Sequence, residues 1–232
     1  MTSGVSGLPQ RDLVDVRLVA AIELGGCAIC AVRSRAEASA VEAIVDERVM
    51  DIGFRAGLER TYALCRRHVS EIVAAERRTS GILSSSILYE AIIARRLAGV
   101  REALGSRGRS RRKRVEAAAN RPPCVVCVEG GEAADVAMTR MVQRSGDAAW
   151  AAVIGDIPFC LDDLVALLAA AGDEAAFAPI ADRQLGRIGD LARRLDAYAH
   201  NSAPERRHLM TDEQRGAADE AARLLGGDRP EV

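Results

Sequence analysis

Aromatic side chains are scarce: the chain has one Trp, three Tyr and three Phe. It therefore has few platforms on which nucleic-acid bases could stack, and few of the residues that favour sheets. Charge of one sign is also lacking. The 32 Lys and Arg nearly balance the 33 Asp and Glu, so the whole chain does not carry the charge of a polyanion binder. No apolar run approaches the roughly 20 residues that cross a bilayer. The longest, residues 164–171, has the pattern of a short buried helix. The first twelve residues lack the apolar stretch of a secretory signal, which makes cytoplasm the expected location. No segment alternates convincingly with period two. There is no Gly-rich phosphate loop, no His-Glu-x-x-His and no nucleophile elbow. Glu-x-x-His occurs once, at Glu205 and His208, whereas di-iron bundles use it twice.

Ala, Leu, Val and Ile dominate the apolar residues, with many Arg and Glu beside them. This mixture favours packed helices. Alanine buries little area per residue, so bound metal is expected to supply a share of the stability. Helical spacing and glycine stops predict helices over 11–24, 31–50, 56–80, 82–104, 132–144, 161–171 and 174–198, with a short one around Trp150. Gly25-Gly26 ends the first, Gly53 marks a bend, and Gly130-Gly131 precedes the helix over 132–144. Residues 199–209 read as irregular. Thr211, with Gln214 three residues on, predicts a capped final helix ending at Gly226-Gly227. The expected fold class is all-α: a helical bundle of two tandem related halves, 1–104 and 124–232. Residues 105–123 form a basic linker closed by Pro122-Pro123.

The cysteines carry the chemistry. Cys27-Ala-Ile-Cys30 is separated by 34 residues from Cys65-Arg-Arg-His68, and Cys124-Val-Val-Cys127 by 32 residues from Cys160-Leu-Asp-Asp163. All six cysteines recur in the same order at nearly the same spacing, as duplicated structure would require. Two cysteines spaced by two residues can both reach one ion, with sulfur about 2.3 Å from zinc, and a second such pair completes a tetrahedron. The spacing predicts that each half closes its own site, the ion tying the start of one helix to the start of another. Cys27, Cys30, Cys65 and His68 would form a Cys3His set typical of structural zinc. Cys124, Cys127, Cys160 and Asp163 would form a Cys3Asp set, for which an iron–sulfur centre is a second possibility. Asp162, His200 or His208 could stand in for Asp163, and an ion held there should be looser and more open to exchange. One or two zinc ions are the expected cofactors. Three disulfides, the alternative use of six cysteines, suit a secreted domain and not a chain without a signal.

The pattern resembles a bacterial family, without assigned activity, that carries a twice-repeated Cys-Pro-x-Cys … Phe-Cys-x-x-His arrangement on a helical chain. Gly26-Cys27-Ala-Ile-Cys30, Leu64-Cys65-Arg-Arg-His68, Pro123-Cys124-Val-Val-Cys127 and Phe159-Cys160-Leu-Asp-Asp163 match in order, and 198–226 is similar to the family's charged tail and short last helix. The prolines inside the cysteine pairs are absent, and Asp163 stands where the family has histidine. The resemblance implies the helical architecture and metal ligands, and it brings no activity.

Three functions remain open on the sequence. A zinc-stabilised helical scaffold or accessory protein that binds another protein fits a ligand set of structural type with no catalytic constellation. A nucleic-acid-associated regulator would use the basic run at 107–114, with Arg109, Arg111, Arg112, Lys113 and Arg114 neutralising phosphates. A metal or thiol redox protein would centre on Cys124, Cys127 and Cys160.

Overall fold

The computed structural model describes residues 7–79, 83–105, 107–119 and 122–227. Among these there are helices and turns but no strand, as the absence of period-two alternation requires. The helices are α1 Leu13–Glu23, α2 Ala28–Asp46, α3 Ile52–Thr61, α4 Arg66–Thr79, α5 Leu83–Gly105, α6 Gly108–Ala119, α7 Val125–Arg144, α8 Ala148–Asp156, α9 Leu161–Ala171, α10 Ala178–Asn201 and α11 Asp212–Gly226. Short 3-10 turns lie at Arg48–Met50, Ala175–Phe177 and Arg207–Leu209. No described helix is long and apolar enough to cross a membrane.

Local chemistry sets most ends. Asp12, Asp51 and Asp147 each accept hydrogen bonds from two backbone N–H groups in the first turns of α1, α3 and α8. Gly25, at φ 83°, closes α1 as expected. Thr211 and Gln214 form the expected capping box of α11. The Glu76 carboxylate accepts from the N–H groups of Ser84 and Ser85, capping α5 from α4.

Several expectations are corrected. The helix over 56–80 is broken: α3 ends at Tyr62, in the left-handed region at φ 53°, and α4 begins only after Cys65. Gly53 lies inside the first turn of α3, its N–H bonded to Asp51 at 2.7 Å. Gly130 and Gly131 lie inside α7, which begins seven residues earlier than the sequence implied. The basic stretch is not an open linker, since α6 occupies most of it and packs on α5. The expected ends at Ser80 and Ile82 lie outside the described residues.

The tandem division is also corrected. One compact unit comprises 1–34 with 132–232, and the other 35–131. The boundaries fall inside α2 and α7 and not in a linker. The first unit packs around Trp150, Phe159, Leu167 and Phe177. Trp150 is fully buried and donates its indole N–H to the Pro9 carbonyl at 3.2 Å. Asp15, also fully buried, takes the guanidinium of Arg144 and the Arg11 N–H, the latter at 2.8 Å. The second unit packs around Ile44, Leu58, Ile72, Leu88 and Val126, and no fully buried aromatic residue belongs to its core.

Candidate metal centres

The four ligand pairs share one local geometry. Cys27, Cys65, Cys124 and Cys160 each stand just before a helix and accept the N–H of the residue four places on, at 2.9–3.1 Å. Each is thus an N-cap, and Cys30, His68, Cys127 and Asp163 are the third residues of the same first turns. In ordinary helices these two positions form the capping box. Here they hold sulfur, imidazole or carboxylate side by side, where the unpaired N–H groups and the helix dipole favour negative charge. The sequence expectation that each site ties two helix starts together is met. The choice of helices is not the expected one.

Cys27 and Cys30, at the start of α2, meet Cys160 and Asp163, at the start of α9. Cys65 and His68, at the start of α4, meet Cys124 and Cys127, at the start of α7. The expected sets within consecutive halves are therefore wrong: each site joins one earlier pair to one later pair. The physical reason is the composition of the two units, since 1–34 packs with 132–232 and leaves 35–131 to close on itself.

In the α2–α9 centre the Cys30 and Cys160 sulfurs are 3.6 Å apart, and those of Cys27 and Cys160 4.0 Å. Asp163 Oδ2 faces all three sulfurs at 3.1–3.4 Å. Its other oxygen, Oδ1, accepts from Arg33 at 2.7 Å. All four ligands are buried. Hydrogen bonds from Cys160 and Cys30 hold the Cys27 thiol down to about 4 against the opposing effect of burial. The same sharing of protons, first with Cys160, pushes the Cys30 thiol upward.

In the α4–α7 centre His68 Nδ1 lies 3.2–3.4 Å from the sulfurs of Cys65, Cys124 and Cys127, and Cys65 is 3.9 Å from Cys127. His68 is fully buried. Its Nε2 is the one buried side-chain nitrogen or oxygen among the described residues without a hydrogen bond. It faces Glu71 at 3.5 Å and Glu37 at 3.8 Å. An imidazole that gives Nδ1 to a cation keeps its proton on Nε2, pointed at a carboxylate, as ligating histidines do. Burial, and then the Arg67 charge, holds the imidazole below its usual value and so favours the neutral ring that binds metal. Burial alone would raise the Cys65 thiol, but the N–H groups of His68 and Arg67 and the adjacent sulfurs hold it below its usual value. Burial, with the charges of Cys124 and Cys65, pushes Cys127 up to about 12.

These distances fit one tetrahedral ion. Zinc–sulfur bonds of about 2.3 Å imply sulfur–sulfur edges of about 3.8 Å, and edges to nitrogen or oxygen of about 3.5 Å. The sulfurs are far beyond the roughly 2.05 Å of a disulfide, and none of the six cysteines is disulfide-bonded. Three cysteine sulfurs and a carboxylate within 4.8 Å of one another in the α2–α9 centre are a donor set that suits a bound cation.

No family model, no curated protein and no solved structure matches the chain. The eight ligand assignments thus rest on geometry and donor chemistry.

Several residues around the centres escaped the sequence reading. Arg33 neutralises Asp163, and Arg67 bonds Glu37 at 2.6 Å beside His68. Arg67 sits between Cys65 and His68, so its nearness could have been read. Arg33 gave no signal. Gln184 is buried, its Nε2 2.9–3.1 Å from the carbonyls of Ile154, Gly155 and Ile157, and so steadies the segment leading to Cys160. Gly227, read only as a helix stop, lies against the α2–α9 centre: a Cβ there would come within 3.1 Å of Cys30 Sγ. Beside it a cavity of about 580 Å³ is walled by Cys27, Phe159, Cys160, Leu191, Arg223 and Leu224.

Asp162, His200 and His208 are exposed and join neither centre, and Glu205 and His208 lie in a turn and a 3-10 segment. Cys124, Cys127 and Cys160 do not form one redox set: Cys124 and Cys127 belong to the α4–α7 centre and Cys160 to the α2–α9 centre. Arg109, Arg111, Arg112, Lys113 and Arg114 are exposed on α6. Arg112 pairs with Glu116 at 2.7 Å and Arg114 with Glu102, while Arg109, Arg111 and Lys113 make no ion pair among the described residues.

Proposed function

We propose that the protein is a non-enzymatic helical scaffold that holds one zinc ion in each centre and presents its helices to a protein partner. The observation that carries this reading is the meeting of four capped helix starts, two by two, around four close donors each. Sulfur-rich tetrahedral sets without a spare donor position are the chemistry of structural zinc. Donor separations of 3.1–4.0 Å favour a single ion over a cluster of several irons. Six cysteines without a disulfide suit a reducing compartment, which keeps cytoplasm within the proposal. The resemblance to the bacterial family with repeated cysteine motifs supports both sets of residues as metal ligands.

Elemental analysis of protein purified without oxygen tests the reading. Two zinc ions per chain and a colourless solution are expected, and chelation should lower the helical circular dichroism. Absorbance near 400 nm with bound iron, or helicity unmoved by complete chelation, would overturn it.

A second reading has one observation in its favour. α6 holds Arg109, Arg111 and Lys113 exposed and without carboxylate partners among the described residues, so they are available to phosphates. Binding to duplex DNA or to RNA should then weaken steeply with salt, and replacing these three by Gln should flatten the slope. Absence of binding at low salt would remove this reading.

A further inference from the structure

α5 carries an apolar seam that the fold leaves open. Ile93, Leu97, Val100 and Leu104 follow at intervals of four, three and four, the a/d spacing by which one helix packs along another. They are 62%, 48%, 44% and 55% exposed. Another side of the same helix is occupied: Ser85, Leu88 and Ala103 are buried.

The width of the seam identifies the kind of surface it meets. With 3.6 residues per turn, Arg96 and Arg101 fall about 70° to either side of its centre. A helix lying in a lipid surface needs a broader apolar face, whereas a narrow a/d seam matches another helix. Charge identifies the partner. Residues 83–119 contain nine Arg and Lys and three Glu. Two such faces would repel each other, which argues against a second copy and for an acidic helix.

We propose that α5 is the docking face for an acidic amphipathic helix of another protein. The partner's apolar a/d residues would seat on Ile93, Leu97, Val100 and Leu104. Its flanking Glu and Asp would meet Arg101, while the cations of α6 raise the association rate at low salt. The inference rests on the scaffold reading and names the partner's chemistry.

The test uses the full, metal-loaded chain and two labelled synthetic peptides of about three heptads. One has Leu at a and d and Glu at e and g. The other has the same composition, reordered so that no seam forms. Anisotropy titration should show the seam peptide binding at least about tenfold tighter than the reordered one, with affinity falling as salt rises. The variant L97N/V100N alters only exposed positions and should lose that preference with metal content and helicity unchanged. R101E should weaken binding several-fold.

Equal binding of both peptides, or binding indifferent to L97N/V100N, overturns the proposal. So does a seam-dependent dimer in sedimentation, or seam-dependent flotation with phosphatidylserine vesicles. So does competition by short RNA that wild type and L97N/V100N show alike. Peptide binding by a chain found to hold no metal would instead overturn the clasp and leave the docking face standing.

Discussion

Replacing Cys124 and Cys127 together by Ser separates the two possible groupings of ligands. In the observed grouping these sulfurs complete the centre with Cys65 and His68, inside residues 35–131. Two ligands remain there, too few to hold an ion in a folded site. The α2–α9 centre keeps all four of its donors. Structural zinc contributes about 10–16 kcal/mol of apparent binding energy in small zinc-dependent folds, against a total stability of about 5–15 kcal/mol for an ordinary domain. The second unit has no fully buried aromatic residue in its core, so loss of its ion should exceed what its packing can bear. The expected result is a fall from two metal ions per chain to one. Amide hydrogen exchange should show protection lost over α4 and α5 and retained over α9 and α10. If the ligands instead paired within consecutive halves, the same variant would strip Cys160 and Asp163 of their partners. Protection would then fail at α9 and survive at α4, and that pattern would refute the grouping.

Three further perturbations follow from single contacts. Arg33→Gln removes the guanidinium that holds Asp163 Oδ1, and affinity of the α2–α9 centre should fall about 10–100-fold, as for other groups that orient a ligand, read by competition with a chromophoric chelator. Gly227→Ala places a Cβ 3.1 Å from Cys30 Sγ at a φ of 71°. It should cost about 1–3 kcal/mol in thermal unfolding and speed metal release from that centre alone; an unchanged release rate would show that the end of α11 does not cover the sulfurs. Asp15→Asn should cost about 3–5 kcal/mol at neutral pH, because it leaves Arg144 buried without its counter-charge. Burial alone would raise the Asp15 carboxyl, but Arg144 and the Arg11 N–H outweigh it and hold it below the usual value near 3.8. The pair therefore stabilises the fold fully above that value and loses its effect as pH falls through the lower, folded one. The gap between wild type and D15N in urea titrations should stay level down to about pH 4 and narrow below it.

Much of the fold could be read from the sequence because its signals are local. Gly25 ends α1, Thr211 and Gln214 cap α11, and α9 spans the residues expected of it. The ligands could be read for the same reason: two donors three positions apart announce themselves wherever they occur. Their grouping could not, because which helix starts meet depends on the packing of segments distant in sequence. The break at Tyr62 was hidden for a related reason. Nothing in Tyr62-Ala63-Leu64 marks a turn, and a left-handed Tyr is unfavourable on its own. Arg96 stacks on its ring at 4.7 Å, and the N–H of Val125 bonds Ala63 O at 2.8 Å. Both are long-range contacts that overrule the local preference for continuing α3. The seam on α5 was legible as periodicity, but its exposure was not, since a periodic stripe looks the same whether its partner belongs to the same chain or to another.

Burial reverses one expectation about the two centres. Oxygen is the weaker partner for a cation bound mainly by sulfur, which made the Asp163 site the expected loose one. Yet Cys27, Cys30, Cys160 and Asp163 are all buried, and Arg33 fixes the carboxylate, while Cys65 and Cys127 are partly exposed in the all-sulfur-and-imidazole centre. Reaction of a thiolate with oxidant or alkylating agent depends on access as well as on its charge. A ligand's intrinsic affinity and its exposure thus point in opposite directions here. Reagents that attack sulfur directly should modify Cys65 and Cys127 before Cys27, Cys30 and Cys160, and mass spectrometry after brief treatment with iodoacetamide would show the order. Modification of Cys27, Cys30 or Cys160 first would mean that ligand hardness outweighs burial, and that the α2–α9 centre is the labile one after all.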